Sequence, residues 1–198
     1  MDLFLVRHPE TAAPKGTCYG RVDFPLLKPA IDTAKQTIND LPVQIPLMIV
    51  SPAPRAQALA KELSLLHLEK NSIHPELQTE DRIQEMDFGD WDGKLWDSIP
   101  KKETLAWMKD FVNQKTPNGE AFTDVIERTN AFLKDWGKEG TKRKEEEEKR
   151  KSPIDQLIVV CHSGSIRAIL CQLQNLEYKD AFQAKIEFGS VHKVRLEY

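Results

Sequence analysis

Cysteine is scarce and unpaired in this sequence. Cys18, Cys161 and Cys171 are the full set, an odd number with no C-x2-C spacing. That argues against a disulfide framework and a cysteine-held structural zinc, and it fits a reducing, cytoplasmic setting. Long apolar runs are missing too. None reaches the length of a membrane span, and the first one ends by Val6 without the basic lead of a signal peptide. Charge of one sign is also lacking: 28 basic residues face 31 acidic ones, a formal net charge of −3. Such a chain has no general field for nucleic acid or a membrane surface, so an anionic substrate has to be held by local cations. There is no internal repeat. No carboxylate trio or His-x-x-x-His pair points to a metal, and no G-x-S-x-G elbow points to a serine hydrolase.

What is present suits one domain over 1–198, long enough to bury a sizeable core. Short apolar runs at 3–6, 47–50 and 157–160 predict buried strands, with a further short strand at 72–77 and one or two in the tail, 185–198. Helices are expected at 31–41, from the entry signal Ser51-Pro52-Ala53-Pro54 to about 68, at 97–114, at 119–137 and after the strand at 157–160 to about 176. Pro54 sits in the first turn of the second of these, where proline is tolerated. The charged stretch 138–152, "KEGTKRKEEEEKRKS", reads as a solvated helix extension or a loop. Strands alternating with helices predict an α/β fold, with a mainly parallel central sheet covered by helices on both faces.

In such sheets ligands bind beyond the carboxyl ends of the strands. Arg7 and His8 follow the first strand, Arg55 the second, and His162 with the Ser163-Gly164 turn the last long one. Two guanidinium groups, two imidazoles and a helix start on one edge make a cage for an oxyanion, and phosphate is the natural guest. Singly, each of these residues is more often structural. His67, His74 and His192 lack such company and read as structural or surface residues.

These residues resemble a known family. "LVRHPET" (5–11), Ser51-Pro52-x-x-Arg55-Ala56, "QEMDFGDWDG" (84–93) and "CHSGSIR" (161–167) are similar, in order, to the motifs of the histidine phosphatase, or phosphoglycerate mutase-like, superfamily. The resemblance implies a three-layer α/β/α sandwich. It implies that His8 is the nucleophile, that Arg7, Arg55, His162 and Ser163 bind the phosphoryl group, and that Glu85 is the proton donor. No metal or organic cofactor is implied. Pro9 stands where the family commonly has Gly, and Pro14 where it often has Asn. The chemistry is sound in itself: a neutral imidazole is a nucleophile near pH 7, and a leaving alkoxide needs a proton from an acid.

Cys161 and Arg167 also fit C-x5-R, the spacing of a cysteine-dependent phosphatase loop. That reading leaves Arg7, His8, Arg55 and Glu85 unexplained. In the family reading Cys161 fills a small-residue slot and Arg167 has a structural or rim role.

The segment "PKGTCYGRVDFPL" (14–26) resembles the loop of the α-ribazole phosphatase branch, which acts in cobalamin biosynthesis. That likeness puts Tyr19, Gly20 and Arg21 against the substrate. Tyr19 either stacks on a base or packs the loop. The expected partner is a small phosphorylated substrate, with a homodimer left open. The alternatives are a sugar or nucleotide phosphatase of broad specificity, a phosphoglycerate mutase, and a module that binds phosphorylated ligands without turnover.

Overall fold

The computed structural model describes residues 1–197. In chain order its elements are β1 (Asp2–Arg7), α1 (Ala30–Thr37), β2 (Leu47–Val50), α2 (Pro54–Asn71), β3 (Glu76–Thr79), α3 (Lys101–Lys109), α4 (Phe122–Trp136), α5 (Thr141–Arg150), β4 (Gln156–Cys161), α6 (Ser163–Gln174) and β5 (Val191–Arg195). The strands form one sheet in the order β3-β2-β4-β1-β5, parallel except for β5.

Alternation along the strands builds the layers, because successive side chains point to opposite faces. Leu3, Leu5, Leu47, Ile49, Leu157 and Val159 face α4 and α6 through Phe132, Trp136, Ile166 and Ile169. Phe4, Val6, Met48, Val50, Ile158 and Val160 face α1 and α2 through Ala34, Leu59, Ala60 and Leu63. β1, β2 and β4 therefore read as unbroken apolar runs, as burial on both faces requires. Each buried Leu or Ile contributes on the order of 2 kcal/mol. The result is a three-layer α/β/α sandwich. A third apolar cluster, with Trp91, Trp107, Phe122 and Val125, roofs the carboxyl end of the sheet.

Some boundaries differ from the sequence expectation. The third strand lies at Glu76–Thr79 and not at 72–77, because α2 continues to Asn71 and closes on Ser72 at φ 56°. Helix α3 spans Lys101–Lys109 only, where 97–114 was expected. The tail holds one strand, Val191–Arg195, and Tyr198 lies outside the described residues. The charged stretch is a helix in its own right. Helix α5 is laced to β3, with Lys149 and Arg150 paired to Glu76, Gln78 donating to Glu146 at 2.8 Å, and Lys142 paired to Glu80. Among the described residues no helix is long and apolar enough to cross a membrane.

Candidate active site

Pairing of β1 with β4 sets Arg7 opposite Cys161, so the next residues out, His8 and His162, emerge side by side. The His8 amide donates to Cys161 O at 3.0 Å, and the two imidazole centroids lie 5.1 Å apart. His8 Nδ1 is 2.7 Å from Pro9 O. A carbonyl can only accept, so Nδ1 carries the proton and Nε2 keeps its lone pair. Burial, reinforced by the charges of Arg55 and Arg7, pushes the His8 pKa down to about 3. The ring is thus neutral at pH 7 with one nitrogen free to attack. Pro9 serves this arrangement through its carbonyl, which proline retains.

Two cations flank the ring. Arg55, 1% exposed in the first turn of α2, donates from Nη1 to Asp23 Oδ1 at 2.5 Å and from Nη2 to Gly20 O at 2.6 Å. Arg7 donates from Nη1 to Ile186 O at 2.6 Å, and its guanidinium carbon lies 3.7 Å from the Phe188 ring centre. The Nε atoms of both arginines are buried and bond to no group among the described residues. Buried donors are rarely left so, and an oxyanion would satisfy them. His162 is fully buried and packs against His8 without lining the cavity. Its Nε2 lies 2.7 Å from Ser51 Oγ, and its Nδ1 has no partner. Burial, then the neighbouring His8 and Arg55, holds its pKa well below the ordinary histidine value.

Glu85 reaches the start of α6. Its carboxylate accepts from the Gly164 amide at 3.0 and 3.1 Å, from Ser163 Oγ at 3.1 Å and from its neighbour's amide, Met86 N, at 3.0 Å. The segment that carries it is clamped from α4. Arg128 donates to the carbonyls of Arg82, Gln84 and Glu85 and pairs with Glu120. Ser165 Oγ adds bonds to Ile83 O and Gln84 O. Asp87 and Asp90 turn away, accepting from Gly89 N and Asn118 Nδ2.

Of the three loop residues expected at the substrate, Tyr19 lines the cavity, and Gly20 and Arg21 do not. Gly20 is a glycine because a Cβ there would overlap Met86 O, while its carbonyl holds Arg55. Arg21 points to Glu120 at 3.7 Å. Asp92 fixes this loop by accepting from the amides of Gly20, Arg21 and Val22. Tyr19 accepts a hydrogen bond from Thr11 at 3.0 Å and meets Phe24 edge-on.

The cavity, about 200 Å³, gathers Arg7, His8, Arg55, Glu85, Ser163 and Arg167 on its polar side. Aromatic rings share the lining, Tyr19, Phe88, Trp96, Phe122, Phe182 and Phe188, with Phe188 against Arg7 and Phe182 against Arg167. Cys161 takes no part in it. That thiol is fully buried in the core beneath α6, and burial pushes its pKa up. Cys18 lies in the wall, its pKa pushed up to about 12 by burial and by Asp92. His67, His74 and His192 lie elsewhere; His192 bonds Ser190 and His67 bonds Asn71. The sequence pattern missed Asp92, Arg128, Phe182 and Phe188. The first stood in a run of like residues, and the others carry no local motif.

A neutral imidazole, two half-satisfied guanidiniums and a carboxyl at a helix start, all beyond the carboxyl ends of parallel strands, define a site for phosphoryl chemistry. Comparison with known proteins gives the family. The pattern of the histidine phosphatase superfamily (branch 1) matches residues 3–198, and the chain belongs to that family. It is a phosphoric monoester hydrolase. The adenosylcobalamin/alpha-ribazole phosphatase of Salmonella typhimurium is 26% identical, over 96% of this chain and 87% of its own. Phosphoserine phosphatase 1 of Hydrogenobacter thermophilus is also 26% identical, over 100% and 87%. The fold is that of the alpha-ribazole phosphatase from Shigella flexneri, at a TM-score of 0.77 and 22% identity over 100% of this chain and 96% of that one.

Proposed function

We propose that this chain hydrolyses phosphate monoesters through a phosphohistidine on His8, without a metal, and that its substrate is α-ribazole 5′-phosphate. His8 Nε2 attacks phosphorus. A P–N bond forms and the ester P–O bond breaks. The leaving oxygen takes a proton from the Glu85 carboxyl group. Arg7, Arg55 and Ser163 stabilise the phosphoryl oxygens during transfer, and His162 packs behind His8. Water then attacks phosphorus, giving its proton to the Glu85 carboxylate. The P–N bond breaks, phosphate leaves and His8 is restored.

The observation that carries this reading is the Nδ1–Pro9 O bond of His8. It leaves Nε2 unprotonated in the same cavity as Glu85, Arg7 and Arg55. The substrate assignment rests on the aromatic rings in the lining, which suit a flat base attached to the sugar, together with the likeness of 14–26 to the α-ribazole branch. Phosphoserine is the second reading, favoured by the Hydrogenobacter relative. Steady-state rates with α-ribazole 5′-phosphate, phosphoserine and several simple sugar phosphates, all in EDTA, decide between them. A kcat/KM for the ribazole ester at least about tenfold above the rest, or about 1.4 kcal/mol of selective stabilisation, is expected. Equal rates across the panel overturn the substrate assignment. Loss of all turnover in EDTA overturns the metal-free mechanism.

A further inference from the structure

We infer that Arg167 is a specificity residue that reads an oxygen acceptor on the leaving group, so that the site favours phosphorylated sugars over bare aryl or alkyl phosphates. The inference rests on the phosphomonoesterase reading of the same cavity. Arg167 sits on α6 four residues after Ser163, one turn along the same helix face. Side chains on a helix lean toward its N-terminus. This one therefore returns over the end where Ser163 and Gly164 hold Glu85, and it lines the cavity there.

Its surroundings leave binding capacity unspent. The guanidinium carbon lies 5.0 Å from the Phe182 ring centre, and Nη2 donates to Ala184 O at 3.3 Å. Nε is buried and donates to no group among the described residues. Arg55 and Arg7 use strong anchors to aim at the nucleophile, but Arg167 has one long bond and a ring for support. It shares the cavity with Glu85, the group proposed to protonate the departing oxygen, and Glu85 is held at the N-terminus of the same helix. A hydroxyl or ring oxygen a few bonds from the ester would meet its free N–H groups, and the Phe182 face fixes the plane in which they point.

The test compares wild type, Arg167→Met and Arg167→Lys on ribose 5-phosphate and p-nitrophenyl phosphate. The expected result is a rise in KM of at least about tenfold on the ribose ester for Arg167→Met, the effect of losing one charge-assisted hydrogen bond. Its kinetics on p-nitrophenyl phosphate should stay within about twofold, since that leaving group has no hydroxyl or ring oxygen near the ester and its nitro oxygens lie across the ring from it. Arg167→Lys should recover part of the loss. Equal losses on both esters, or none on either, overturn the inference, because a phosphoryl or purely structural role would not tell the esters apart. A variant that fails to fold loses both activities and counts against it. Wild type that hydrolyses the aryl ester but no ribose ester overturns the sugar assignment and leaves the phosphohistidine reading standing. Wild type inactive on both overturns that reading itself.

Discussion

The Gly164 amide donates to both oxygens of the Glu85 carboxylate, at 3.0 and 3.1 Å, and a Cβ at position 164 would overlap Oε1. The proposed acid is therefore seated in a niche that only glycine leaves open. Gly164→Ala should displace it. On an alkyl phosphate the loss in kcat should approach that of Glu85→Gln, about 10²-fold or more, the usual worth of general acid catalysis. On p-nitrophenyl phosphate, whose leaving group needs little protonation, the loss should be much smaller. Equal losses on the two esters would remove Glu85 from the acid role.

Arg128 holds the acid's backbone from a distance. It bonds the carbonyls of Arg82, Gln84 and Glu85 within one segment, and pairs with Glu120. Arg128→Ala should cost about 2–3 kcal/mol, since it strands partly buried acceptors of a charged donor. It should also lower kcat. Urea unfolding with parallel kinetics checks both effects. A variant as stable and active as wild type would show that the clamp is dispensable.

The two site histidines should make the fold sensitive to acid. Burial keeps His8 neutral down to about pH 3, and His162 is depressed in the same direction. The unfolded chain takes up these protons near pH 6.5, and the folded chain does not. The unfolded state binds more protons below that point, so stability is fully present above pH 6.5 and falls as pH drops toward 3. Thermal melts should show a shallower decline over this window for His8→Gln than for wild type. Parallel curves would mean that His8 titrates normally in the folded state.

Helix α5 should matter little to the chemistry. Burial opposes the charge of Glu80, but hydrogen bonds from Arg82 and Lys142 outweigh it and hold the pKa at about 2. Glu76, the carboxylate shared by Lys149 and Arg150, is far more exposed than Glu80, at 42% against 7%. The double change Lys149→Ala, Arg150→Ala should cost less than about 1 kcal/mol, as exposed pairs do, and leave kcat/KM unchanged. A marked fall in activity would tie α5 to the site.

The strands at β1, β2 and β4 were legible because burial on both faces writes them as unbroken apolar runs. β3 was not, since its residues are largely exposed and the end of α2 depends on a left-handed Ser72. At the site, residues at strand ends could be read because topology alone gathers them. Arg7, His8, Arg55, Glu85 and Ser163 do share one cavity. His162 lies beside His8 but off the cavity wall, and Arg21 was misplaced because its loop is set by Asp92, a contact 71 residues away in sequence. Phe182 and Phe188 come from a tail without a motif, so only the fold brings them to the site.

The most direct test of the account is to trap the covalent intermediate. Turnover of p-nitrophenyl phosphate would be quenched in alkali and the phosphoryl group located by peptide mass spectrometry. The account predicts an acid-labile, alkali-stable phosphoryl group on His8, absent from His8→Ala and retained in Cys161→Ser. A phosphoryl group on Cys161, or full turnover by His8→Ala, would contradict it.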